Sequence, residues 1–130
     1  MFHIDQRSST PIYQQLVQEV KAAILRGVLR PGDRLPSVRE LAGRLAINPN
    51  TIQKSYQELE RQKVIETLRG KGTFVCHDYR AREDGERMGL FQDEMRKILI
   101  EAHYLGLNQE RILTLVTELL QELGKGEGTR

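Results

Sequence analysis

Apolar residues return at helical spacing along most of this chain, and the places where the rhythm breaks divide it into elements. Ile12, Leu16, Val20 and Ile24 form one ridge, which predicts a long amphipathic helix opened by Thr10-Pro11 and closed at Gly27. Ahead of it, Phe2 and Ile4 alternate with polar neighbours, as an edge strand or a packed arm would. Pro31-Gly32 turns the chain, and Arg34-Leu35 has length only for an edge strand pairing with a later hairpin. Ser37-Val38-Arg39-Glu40 has the form of a capping box, in which the Ser37 hydroxyl takes a first-turn amide and Glu40 reaches back to the Ser37 amide. The helix it opens places Leu41, Ala42 and Leu45 on one side. Almost at once Asn48-Pro49 supplies an N-cap and a first-turn proline for another helix, whose Ile52, Tyr56 and Leu59 face inward. Val64-Ile65-Glu66-Thr67 and Thr73-Phe74-Val75 read as short strands joined through Arg69-Gly70-Lys71-Gly72, where glycine permits the positive φ of a tight turn.

A charge-rich stretch without apolar period, His77 to Glu83, separates this half from a second one. Beyond it Met88, Phe91, Met95, Ile98, Ala102 and Leu105 advance by alternating threes and fours, the heptad seam of one long helix that Gly106 ends. Asn108 caps a further helix carrying Ile112, Leu113, Leu115, Val116, Leu119, Leu120 and Leu123, an apolar arc of about 160°. Leu90, Ile100 and Tyr104 lie outside the first of these seams. A lone hairpin would leave that surface in water, whereas a second copy would cover it. The expected dimer interface is therefore Leu90, Met95, Ile98, Ile100, Tyr104, Ile112, Val116, Leu119 and Leu120. Met88 and Met95 could instead line an adaptable ligand pocket, but methionine at helical spacing is more often core. The chain is expected to be α+β: a winged helix-turn-helix over 1–76, a linker over 77–83, a two-helix dimerisation hairpin over 84–123 and a disordered tail over 124–130.

The outward side of the Asn48-capped helix carries Asn50, Gln53, Lys54, Gln57 and Arg61. Asn and Gln pair bidentately with adenine edges in the major groove, and Lys and Arg with guanine or phosphate, which is what a recognition helix presents. Most polar stripes are only solvated faces. Here a hairpin follows whose tip sets Arg69 and Lys71 to meet phosphates or a narrow minor groove. Gly70-Lys71-Gly72 does not read as a nucleotide cradle, because a phosphate loop needs wider glycine spacing and a helix after its lysine, and a strand follows here.

Pro11-Ile12-Tyr13-Gln14-Gln15-Leu16, Pro31-Gly32-Asp33-Arg34-Leu35-Pro36-Ser37, Asn48-Pro49-Asn50-Thr51 and Gly70-Lys71-Gly72-Thr73-Phe74-Val75 together resemble the DNA-binding domain of GntR-family bacterial transcription regulators. The Asn-Pro-Asn-Thr variant and the short C-terminal part are most similar to the YtrA-like subfamily, whose members often govern transporter genes. By matching position, the resemblance implies a base-reading arginine at Arg39, in the helix that Ser37 opens. It implies further contacts from Asn48, Asn50, Thr51 and Gln53 at the start of the recognition helix, and from Arg69, Gly70 and Lys71 at the wing tip. Ser37, Lys54 and Gln57 complete the expected DNA-binding set. Where the family usually has glycine before the recognition helix and before the wing strand, this chain has Ala46 and Lys63, and left-handed backbone there would cost about 1 kcal/mol each. The function implied is transcription regulation by a homodimeric repressor on an inverted-repeat operator in double-stranded DNA. Specific sites exceed non-specific binding by about 4–10 kcal/mol, which linked heads supply more easily than one. Family relatives sense a small molecule in an additional C-terminal domain; a hairpin of roughly forty residues has little interior, so any effector here would sit between subunits.

At 130 residues and 38% hydrophobic, the chain has room for one full domain plus an appendage. Its net charge of +2 hides an asymmetry: residues 11–76 hold 11 Lys/Arg against 6 Asp/Glu, while 77–130 hold 8 against 11. Phosphate neutralisation drives non-specific affinity, so nucleic acid belongs to the N-terminal half. No apolar run resembles a signal peptide or a bilayer span, and a cytoplasmic protein is expected. Cys76, the one cysteine, reads as a small apolar residue rather than a redox centre. Cys76-His77-Asp78 has metal-binding residue types, but three adjacent side chains rarely converge on one ion, and His3 and His103 stand at no ligand-like spacing. Neither metal nor cofactor is expected. Nor is an enzyme: the chain has no Ser/His/Asp or Cys/His constellation and no space for the aminotransferase-like domain that some GntR relatives carry. The alternative is a protein-interaction or architectural module, which would need an apolar or acidic recognition face.

Overall fold

The computed structural model describes residues 2–77 and 85–124, and these form two compact units. The first contains α1 (Ile12–Leu25), β1 (Arg34–Leu35), α2 (Val38–Leu45), α3 (Pro49–Arg61), β2 (Ile65–Leu68) and β3 (Gly72–Val75). Its sheet is ordered β1-β3-β2 and antiparallel throughout, with Leu35 and Thr67 both opposite Thr73. The short strand expected at Arg34-Leu35 therefore does pair with the wing. The α1 ridge is buried at Leu16 and Val20 and half-buried at Ile12 and Ile24, and it meets Leu35, Leu41, Ile52, Leu59, Ile65 and Val75 in one core. Burying one such side chain is worth about 1.5–3 kcal/mol, so packing rather than intrinsic propensity holds a helix as short as the 8-residue α2.

Three local details differ from the sequence reading or resolve it. The N-terminal segment is a packed arm, not a strand: Phe2 enters the core, the His3 amide donates to the Glu19 carboxylate at 2.8 Å, and the Asp5 amide donates to Gln15. Pro11 is the N-cap of α1 rather than its first helical residue, because its ψ of 145° is extended. No side chain caps this end; the Gln15 carboxamide instead donates to the Thr10 and Asp5 carbonyls. β2 begins at Ile65 rather than Val64, since the Val64 amide closes back on the Leu59 carbonyl and so belongs to the end of α3.

The second unit is α4 (Gly85–Tyr104) and α5 (Gln109–Leu123). Between them the Leu107 amide returns to the Ala102 carbonyl, and the Asn108 side chain caps α5 by accepting from the Arg111 amide. The two helices fall where the periodicity puts them, yet within one chain they cover almost nothing. Ala102 alone among their described residues is buried, while Ile98, Tyr104 and Leu120 are 65%, 79% and 64% exposed. Of the residues expected at a dimer interface, Ile112 is half-buried and the others are exposed. Apart from His77 and Gly124, the expected linker and tail lie outside the described residues. Among the described residues no helix is long and apolar enough to cross a membrane.

Candidate nucleic-acid interface

The cap of α2 forms as its sequence requires. The Ser37 hydroxyl accepts from the Glu40 amide at 3.0 Å, and the Glu40 carboxylate accepts from the Ser37 amide at 2.8 Å. The bond from the Ser37 main chain, then that from its side chain, holds the Glu40 carboxyl below its usual range. Arg39, in the first turn, is exposed. α2 ends at Ala46, whose left-handed backbone (φ 55, ψ 47) lets the Ala46 and Ile47 amides both reach the Ala42 carbonyl. Ile47 is buried, and Asn48 starts α3 by accepting the Asn50 amide on its side-chain oxygen at 2.8 Å. That bond fixes the carboxamide so that its NH2 is left for a ligand.

On α3 the residues assigned inward, Ile52, Tyr56 and Leu59, are buried, and those assigned outward, Asn50, Gln53, Lys54, Gln57 and Arg61, are exposed; Thr51 is half-buried. Two polar contacts lock the inner side. Ser55 Oγ, fully buried, lies 3.0 Å from the Tyr13 carbonyl of α1, and the Tyr56 hydroxyl donates to the Pro36 carbonyl at 2.6 Å, just before α2. Burial, assisted by nearby Glu40, pushes the Tyr56 phenol up to about 12, so it stays a donor. Lys54 Nζ rests 3.9 Å from the centre of the Tyr13 ring, a cation–π contact that holds the ammonium at the edge of the outer face.

The face is less purely basic than the sequence reading held. Arg61 is bound by Glu58, one turn back, at 2.5 Å, and this contact, with one from Gln62, draws the Glu58 carboxyl down to about 2. The spacing of three between Glu58 and Arg61 was a readable signal for the pair. Glu60, also on α3, accepts the Thr67 amide of β2 at 3.2 Å; nothing in the local sequence announces that bond.

At the wing tip the Lys71 amide donates to the Leu68 carbonyl at 2.8 Å, and Gly70 takes the positive φ of 78° that such a turn demands at its third position. Arg69, Gly70 and Lys71 are all exposed. A further cation missed in the sequence comes from β1 and sits beside the wing tip: the Arg34 guanidinium lies so close over Gly72 that a β-carbon there would meet its Nε at 3.0 Å. Cys76 is half-buried, the His77 ring lies against Gly32, and Asp78 lies outside the described residues.

A helix-turn-helix with an exposed amide and cation face, flanked by a hairpin that carries cations at its tip, defines a winged-helix module of the DNA-binding class. Residues 12–75 match the family model for "Bacterial regulatory proteins, gntR family". The chain is 42% identical over 127 residues, 98% of each protein, to the HTH-type transcriptional repressor YtrA of Bacillus subtilis (strain 168). It is similar to the crystal structure of a transcriptional antiterminator from Listeria monocytogenes EGD-e, with 40% identity and a TM-score of 0.86 over 95% of this chain and 92% of that one. It is also similar to YtrA from Sulfolobus acidocaldarius, a GntR-family transcription factor, with 30% identity and a TM-score of 0.54 over 93% and 97%. The chain belongs to the GntR family of bacterial regulatory proteins: it is a DNA-binding transcription regulator, not an enzyme, and a homologue of the YtrA repressor.

Proposed function

We propose that this regulator is a repressor that binds an inverted-repeat operator as a homodimer, laying α3 in a major groove and the wing along the neighbouring backbone or minor groove. One observation carries the reading: Asn50, Gln53, Lys54 and Gln57 are exposed on a capped helix whose other side is fixed in the core, so reading groups stand on a rigid element. Arg39, Asn48 and Thr51 read or orient from the helix starts, Ser37, exposed at the start of α2, meets the backbone there, and Arg69, Gly70 and Lys71 engage it at the wing tip.

Residues 1–76 act as the reader and 77–83 as the connection to 84–123, where Leu90, Met95, Ile98, Ile100, Tyr104, Ile112, Val116, Leu119 and Leu120 meet a second copy. Support comes from the apolar surface that α4 and α5 expose in a single chain, more than a soluble monomer leaves open. Closed pairing of two like surfaces is two-fold, hence the inverted repeat. That the Bacillus subtilis relative is a repressor supports the sign of regulation. The protein works in the cytoplasm, and any small-molecule effector sits between subunits of the helical module. Selection of bound DNA from a random pool tests the reading. An enriched inverted repeat is expected; an enriched lone half-site, or no enrichment, would overturn it.

A further inference from the structure

The recognition face holds one charge that works against DNA. Glu60 stands on α3 three residues after Gln57 and seven after Gln53, on the same side as both, and it is exposed. A carboxylate there repels phosphates. Glu58, the other acid of the helix, is matched by Arg61 and Gln62, whereas among the described residues no cation pairs with Glu60. Its Oε2 instead accepts the Thr67 amide. Thr67 lies in β2, the outer strand of the β1-β3-β2 sheet, so this amide faces away from its partner strand and would otherwise meet solvent. Immediately beyond Thr67 comes the exposed wing tip with Arg69 and Lys71.

We propose that Glu60 is a positioning residue for DNA recognition: its carboxylate ties the wing to α3, so that Arg69 and Lys71 meet the duplex in fixed register with Gln53 and Gln57. This rests on reading α3 and the wing as one DNA surface. The tie and the charge have opposite consequences. Removing a negative charge from the face should by itself strengthen binding to any duplex, while freeing the wing weakens binding where both elements must engage together.

The test uses the full chain, a duplex recovered by selection from a random pool, and a scrambled duplex of the same length. Glu60→Ala should bind the selected duplex about five-fold more weakly, as loss of one hydrogen bond implies, without weakening on the scrambled one. Glu60→Gln, whose carboxamide oxygen still accepts but carries no charge, should stay within about two-fold of the parent or bind more tightly. With Arg69→Ala and Lys71→Ala in place, Glu60→Ala should weaken binding no further and, through the lost negative charge, should tighten it slightly, because there is no wing contact left to position. Without DNA, hydrogen exchange at the Thr67 amide should quicken in Glu60→Ala and not in Glu60→Gln. Glu60→Ala binding the selected duplex as tightly as the parent, Glu60→Gln as weak as Glu60→Ala, or unchanged Thr67 exchange would each overturn the tie. A parent chain that enriches no duplex overturns the underlying DNA reading and this role with it, which keeps the two failures apart.

Discussion

Ala46 and Lys63 hold left-handed backbone with side chains attached, at φ 55° and 62°. Each lies where a helix reverses: the Ile47 amide returns to the Ala42 carbonyl and the Val64 amide to Leu59, the closure made with glycine at Gly27 and Gly106. These two joints flank the recognition helix on either side. Ala46→Gly and Lys63→Gly should each stabilise the fold by about 0.5–1 kcal/mol in urea unfolding, and a loss at both would show that the joints carry no strain. Asn50→Ala or Gln53→Ala should weaken binding to a selected duplex by about 1–3 kcal/mol and leave scrambled DNA nearly unaffected; equal losses on both would mean that neither reads bases. Glu58 gives a pH signature. Its folded value of about 2 lies below the ordinary 4.5, so its contact with Arg61 stabilises the fold above pH 4.5 and is lost as pH falls toward 2. The difference in melting temperature between the parent and Glu58→Gln should shrink across that interval, and a difference independent of pH would contradict the assignment.

Among the elements, the wing has the clearest division of labour. Arg69 and Lys71 stand at its exposed tip, so replacing both with Ala should weaken binding to most sequences and flatten the salt dependence by about one unit of slope per lost phosphate contact. An unchanged slope would place the wing away from the backbone. How far these elements could be read beforehand depended on the range of the interactions that make them. The Ser37 box, the Asn48-Pro49 start and the Gly70 turn each close within a few residues, and each appeared in the sequence. Thr10-Pro11 likewise marked the start of α1, with Pro11 as its N-cap. Tyr56 to Pro36, Lys54 to Tyr13, Glu60 to Thr67 and Arg34 over Gly72 join different elements, and no local pattern encodes them. The first three add to the core packing in orienting α3 relative to α1, α2 and the wing.

At the scale of the molecule, the two units differ in how they reach stability. The first closes a core around Leu16, Ile52, Leu59 and Ile65, whereas the second leaves most of its apolar side chains exposed. Helices of 20 and 15 residues with so little packing are marginal alone, so the helical unit should be ordered chiefly when paired. The surplus apolar arc was visible in the sequence, since periodicity shows which residues seek cover; it does not show what covers them, which the proposed pairing assigns to a second copy. Val116→Asp with Leu120→Asp would bury carboxylates at the proposed pairing surface and should yield a monomer by sedimentation with reduced helicity, while the first unit keeps its unfolding midpoint. The central claim, that paired heads read a paired site, is tested most directly by titrating the full chain against a selected duplex and against the same duplex with one half-site scrambled. The intact duplex should be bound by two chains and at least about tenfold more tightly, and the double Asp variant should lose this preference. Equal affinity for both duplexes, with one chain bound to each, would contradict it.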